Sequence, residues 1–218
     1  MEVPLHHRLR TDPGGEHMAR KPRQDVLTLF DSLVYTCGYR LVIDPASHVA
    51  ARVLEWRGTL RERIGKFEEA YQMPGITLLR TELPPEYEGP LADAIERGAQ
   101  GFAPFALNLG AMAHSEDRGS IHIEIAEKGT IAALRQRILD HVRANRRIRK
   151  LGVEVNEQAR LTIASGLKSE QFQTAWAMLA PLGFTAQQRV SDVVLMKREL
   201  DHTSIDRHVR TFALEAPH

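Results

Sequence analysis

Two short stretches decide how this chain is read: Gly75-Ile76-Thr77-Leu78 and Arg160-Leu161-Thr162-Ile163. Each is a leading position, an apolar residue, a threonine and a second apolar residue. Period-two alternation puts the leading position and the threonine on one face of a strand and the two apolar residues on the other. Buried apolar faces would hold each strand against a core. Two such strands side by side would line a central groove with Gly75, Thr77, Arg160 and Thr162.

The surroundings of the two stretches correspond. Before the first, Tyr39-Arg40-Leu41-Val42-Ile43 reads as a strand stopped by Asp44-Pro45. Val49, Val53, Trp56, Leu60, Ile64 and Phe67 then recur at helical spacing, with Ser47 as N-cap. After the first stretch a short helix is expected around Leu91, Ala94 and Ile95. Strands follow at Phe105–Leu109 and Ser120–Ile125, and the polar loop His114–Gly119 suggests a hairpin. The second half repeats the theme. Ile131, Leu134, Ile138, Leu139 and Val142 mark a helix ahead of the second stretch. Phe172, Ala175, Trp176 and Leu179 mark one after it, opened by Ser169 and ended at Gly183, and strands at Val190–Met196 and Val209–Leu214 close the chain. Helices alternating with antiparallel hairpins predict an α+β fold rather than a doubly wound parallel sheet.

The layout resembles the 2H phosphoesterases, the group that includes the bacterial 2′-5′ RNA ligase-like proteins and cyclic phosphodiesterases. Their hallmark is a duplicated His-x-Thr/Ser motif flanked by apolar residues. The resemblance runs from about Tyr39 to Leu214 and is carried best by Met73–Arg80, by Arg160–Leu167 with Ser169–Phe172 and Ala175-Trp176, and by Val193–Glu199. It implies a two-lobed fold with duplicated antiparallel sheets, outer helices, a pseudo-twofold axis and a groove between the sheets. It also exposes a departure. Where the family carries its two histidines, this chain has Gly75 and Arg160. In the family one imidazole takes a proton from the attacking oxygen and the other gives one to the leaving oxygen. Each such transfer contributes ~10²–10⁴-fold and needs a pKa near the working pH. Glycine has no side chain, and a guanidinium does not deprotonate in water.

Without that pair, ordinary catalysis of the family is not expected. Thr77 and Thr162 can still donate to phosphate oxygens, and Arg160 brings a planar fork of donors suited to phosphate. The expectation is a pseudoenzyme that binds a nucleotide, an RNA end or another phosphorylated ligand through Thr77, Thr162 and Arg160, with Arg80 and His122 as further candidates. Two alternatives stand beside it. The chain is an active cyclic-nucleotide or 2′,5′ phosphodiesterase using a displaced histidine, such as His122, which shares a strand face with Glu124. Or the groove has decayed, Arg160 meets a carboxylate, and the chain is a protein-interaction module.

The rest of the chain narrows the partners. Residues 1–24, with His6, His7, Arg8, Arg10, Arg20, Lys21 and Arg23 around Pro13-Gly14-Gly15, read as a flexible basic tail ahead of a domain spanning 25–218. Met18 is an alternative start. The basic run Arg135, Arg137, Arg143, Arg146, Arg147, Arg149 and Lys150 fits the C-terminal end of a helix, whose last carbonyls favour positive charge. On a groove wall it would instead track an RNA backbone, with steep salt dependence. The formal net charge of +1 gives no global attraction to nucleic acid. One cysteine, Cys37, read as a buried thiol, excludes a disulfide framework or a cysteine-rich zinc site and fits the cytoplasm. No histidine pair stands at metal spacing, there is no P-loop, and neither metal nor cofactor is expected. No apolar run nears the roughly 20 residues a membrane span requires.

Overall fold

The computed structural model describes residues 35–115, 119–150, 152–155, 158–200 and 205–216. The tail expected at 1–24, the domain start at 25 and the centre of the 114–119 loop lie outside them.

Nine strands and four helices make up the described part, with one short 3-10 turn at Pro85–Tyr87. In chain order they are β1 (Cys37–Ile43), α1 (Ser47–Ile64), β2 (Ile76–Leu83), α2 (Glu88–Ala99), β3 (Phe105–Ser115), β4 (Ser120–Ile125), α3 (Lys128–Ala144), β5 (Val153–Val155), β6 (Leu161–Ala164), α4 (Ser169–Leu179), β7 (Ala186–Val190), β8 (Asp192–Glu199) and β9 (Arg207–Ala213). One sheet has the order β5-β2-β1-β8-β9 and the other β6-β4-β3-β7. All pairings within them are antiparallel. The expected elements are present, with four differences. The short β5 has no counterpart among the expected strands. The single strand expected at Val190–Met196 is two, β7 ending at Val190 and β8 starting at Asp192. Ala46, not Ser47, is the N-cap of α1, and it makes no side-chain cap. Helix α4 stops at Leu179, before Gly183.

The duplication is visible in the order of elements. The run β1-α1-β2-α2-β3 is echoed by β4-α3-β6-α4-β8, with β5, β7 and β9 as additions. The two runs interlock. β3 pairs with β4 and β8 pairs with β1, so each run gives its third strand to the other's sheet. Helices cross as well: α1 packs on β6 and α4, whereas α2 and α3 pack together on β8, β9 and β2. Close approach of α2 and α3 depends on Gly98, where an added Cβ would stand 2.6 Å from the Cα of Ile138. One apolar core, including Tyr39, Leu41, Ile76, Leu79, Ile121 and Ile163, fills the space between sheets and helices.

Both motif strands carry a β-bulge at the same place. Leu41 faces Leu79 and Val42 faces Thr77, so Leu78 is the extra residue. Ile121 faces Ala164 and His122 faces Thr162, so Ile163 is the extra residue. In both, the residue after the threonine is unpaired, and the strand turns its side chains there. That shared irregularity is why the alternation expected from Gly75 or Arg160 through the motif breaks after each threonine.

Candidate functional site

The site is the groove on the faces of the two sheets turned away from the main core. Register assigns its wall. Arg40 lies opposite Arg80, Gly38 opposite Glu82 and Arg198, and Arg80 opposite Glu154. These residues, with Tyr39, Gln72 and Asp206, line a cavity of about 430 Å³. Arg40 is tied to Asp206 at 2.5 Å. Burial pulls its pKa below the usual guanidinium value, with Arg80 and Arg198 adding to the fall and Asp206 opposing it. Arg80 and Glu154 also line a second cavity of about 230 Å³, completed by Glu68, Glu69, Val155, Arg160, Thr162 and Ser165. Arg160 links this to a third, of about 350 Å³, with His114, Ser115, His122, Glu124 and Lys128 on its lining. The groove thus runs from the β1/β2/β8 face, through the second motif, to the β4 face.

Four of the six expected site residues meet there. Arg80 and Arg160 share one cavity with Thr162, and His122 shares the next with Arg160. Arg80 stands 3.5 Å from Glu68. Gly75 and Thr77 line neither cavity. Thr77 is only 6% exposed. Its register partner Val42 joins Val194 and Met196 in a small apolar cluster apart from the main core. A Cβ at Gly75 would lie 3.1 Å from the Cβ of Val42, so a side chain at this position crowds the same cluster.

The second motif is held from behind. Arg57 of α1 is 3% exposed. It donates from Nη2 to the Thr162 carbonyl at 2.7 Å, from Nε to the Ile163 carbonyl at 3.1 Å, and from Nη1 to the Gln72 carbonyl at 2.6 Å. The bulge at Ile163 explains the need, because carbonyls displaced from a ladder must find donors when buried. Burial lowers the Arg57 pKa to about 10, with Glu69 pulling the other way. One side chain therefore ties the segment leading into β2 to the bulge of β6.

His122 is 6% exposed and sits beside Thr162 across the β4/β6 ladder. Its Nε2 is 3.0 Å from Glu124 Oε1, and Lys128 Nζ is 2.5 Å from Glu124 Oε2. Nδ1 is buried without a hydrogen-bond partner. Burial, chiefly, and the charges of Arg160 and Lys128 lower the imidazole pKa against the opposing pull of Glu124. The neutral imidazole is the favoured form above the ordinary histidine range. Glu124 falls below its ordinary value, mainly through its bond to Lys128.

A family model for the 2′-5′ RNA ligase superfamily matches residues 45–202, the span that contains both motifs. The chain belongs to the 2′-5′ RNA ligase superfamily. Solved structures agree on the fold. Escherichia coli LigT complexed with NADP+ is 17% identical, with a TM-score of 0.56 over 82% of this chain and 98% of that one. The protein TT0787 of Thermus thermophilus is 18% identical, with a TM-score of 0.55 over 84% and 100%. E. coli LigT complexed with phosphate is 16% identical, with a TM-score of 0.55 over 83% and 98%. No curated protein sequence matches this one.

Several groove residues of this superfamily member carry weak sequence signals. Arg57 stands on the apolar stripe Val49, Val53, Trp56, Leu60, where an arginine either reaches buried acceptors or runs its head out to water. Ser165 lies inside the motif region but reads as loop punctuation. Glu68 and Glu69 have no local pattern at all, since only the fold brings them to β6. Among the described residues no group of three or more His, Cys, Asp or Glu is placed to hold a metal ion. No described helix is long and apolar enough to cross a membrane.

Proposed function

We propose that this superfamily member binds a phosphorylated small molecule or RNA end in the groove and does not cleave it by the two-imidazole route. One observation carries the reading. The residue at the second motif's leading position, Arg160, lines a cavity with the motif threonine Thr162 and with Arg80, which follows the first motif. Two guanidiniums and a hydroxyl around one cavity suit phosphate oxygens. Neither Gly75 nor Arg160 supplies a proton acceptor of suitable pKa. The complexes of the similar LigT with NADP+ and with phosphate support a phosphorylated ligand here. Calorimetric titration with AMP tests the proposal. Binding without turnover, weakened about tenfold or more by Arg160→Ala, is the expected result. Undiminished binding by that variant would refute it.

A second reading has its own support in His122. A neutral imidazole beside Thr162, hydrogen-bonded to Glu124 and with Nδ1 unpartnered, is a candidate acid or base displaced from the motif. Turnover of a 2′,3′-cyclic nucleotide that disappears in His122→Ala would establish it and defeat the first reading. If no anion binds, even at high concentration, the interaction module with an empty groove is left.

A further inference from the structure

The cavity that joins the motifs has too many acceptors for a bare phosphate. Glu68, Glu69 and Glu154 line it against Arg80 and Arg160. With Arg57 offsetting Glu69 from behind, a phosphate dianion alone would face as many carboxylates as guanidiniums. Repulsion at such range offsets much of what the arginines give.

The acceptors are also short of donors. Ser165 Oγ lies 2.7 Å from Glu68 Oε2 and 2.7 Å from Glu69 Oε1. A hydroxyl has one proton and donates to one of them. Glu69 is 5% exposed, and its Oε2 is buried without any hydrogen-bond partner. An unpaired buried carboxylate oxygen is costly and calls for a donor. The nearby Arg57 offers charge, but its N–H groups are directed at the carbonyls of Gln72, Thr162 and Ile163. What the wall lacks is hydroxyl or amine hydrogen.

Resting on the phosphate-binding reading above, we infer that the ligand is a phosphate ester with free hydroxyls on its carbon skeleton, a sugar phosphate either alone or as the ribose phosphate of a nucleotide. The phosphate lies against Arg160, Arg80 and Thr162. The hydroxyls donate to Glu69 Oε2 and to Glu68. Each partner supplies what the other side lacks: the cations take the anion, and the carboxylates take the hydroxyl protons in hydrogen bonds. A 2′,3′-cyclic phosphate ties both secondary ribose hydroxyls into the ester and keeps only the 5′-hydroxyl.

Calorimetry on the full chain with four probes tests this: ribose 5-phosphate, 5′-AMP, 2′,3′-dideoxy-AMP and inorganic phosphate. 5′-AMP is expected to bind about tenfold or more tightly than 2′,3′-dideoxy-AMP and inorganic phosphate, neither of which carries a free sugar hydroxyl, the usual worth of a hydrogen bond to a charged group. Ribose 5-phosphate binding as well as AMP identifies the sugar phosphate itself as the ligand, while AMP binding better adds a base contact; both support the inference. Dideoxy-AMP binding as tightly as AMP overturns it and leaves the phosphate reading standing. No binding of any probe overturns both. Glu69→Gln should bring the AMP to dideoxy-AMP ratio close to one. If that variant does not fold, the wild-type comparison of the two nucleotides decides alone.

Discussion

The first and second motifs share a strand position, a threonine and a bulge, but their surroundings have diverged. Around the first, Val42, Val194 and Met196 form an apolar pad, Thr77 is shut in, and Gly75 leaves no room for a side chain without moving Val42. Around the second, Thr162 and Arg160 look into a cavity, and Arg57 secures the displaced carbonyls behind them. Among the described residues, no side chain plays the part of Arg57 for Thr77 or Leu78. Duplicated backbone thus persists where duplicated chemistry does not. The bulge belongs to the fold, and what stands around it is free to become packing at one site and polar lining at the other.

The sharpest way to break this comparison is to remove the support of the second motif. Arg57→Met leaves three carbonyls without their donor, that of Ile163 in a buried bond and those of Gln72 and Thr162 in partly buried ones. At about 1 kcal/mol or more for the buried acceptor and less for the other two, it should cost roughly 2–3 kcal/mol in urea unfolding. A loss under about 1 kcal/mol would mean that the bulge does not need the arginine. Gly98→Ala tests the helices that cover the sheet of the first motif. Its methyl would meet the Ile138 backbone, so a loss of about 1–3 kcal/mol is expected from the forced separation of α2 and α3.

The acid limb of stability reports on the second motif's neighbour. The pKa of His122 in the fold is below its ordinary value of 6.5, so the folded state takes up its proton less readily than the unfolded chain. Its contribution is therefore complete above about pH 6.5 and declines as pH falls from there toward the lower folded pKa. Urea midpoints measured from pH 7.5 to 5 should fall, and the His122→Gln variant should show a smaller fall. An equal fall in both proteins would place the titration elsewhere. The smallest effect is expected at Gly75. Gly75→Ala should cost under about 1 kcal/mol against Val42, and combining it with Val42→Ala should relieve that cost in a double-mutant cycle.

The elements were legible because hydrophobic periodicity survives in them. Val49, Val53, Trp56 and Leu60 all reach the core from one face of α1. The alternation of Ile121 and Ile123 with His122 puts the imidazole on the Glu124 face of β4, as its 3.0 Å approach to Glu124 bears out, and the ladder then sets it beside Thr162. The burial of Thr77 was not legible, because it depends on Val42 across a ladder whose register shifts at a bulge, and bulges leave no pattern in a four-residue motif. The carboxylates of the groove were invisible for a different reason. Glu68 and Glu69 lie between α1 and β2, and only the packing of α1 on the sheet of β6 carries that segment to Ser165. Arg57 gave a sign, a charge on an apolar stripe, whose meaning depended on knowing which strand α1 would cover.

That crossing of helices and third strands has a consequence for how such a chain is divided. Cutting between β3 and β4 yields fragments that each lack a covering layer and a ladder neighbour, so neither is expected to stand alone as a soluble piece, while the two mixed together can reassemble. By the same geometry, a half-length ancestor with a single motif would have found its missing layer in a second molecule of itself, and the fused chain has that embrace written into one polypeptide.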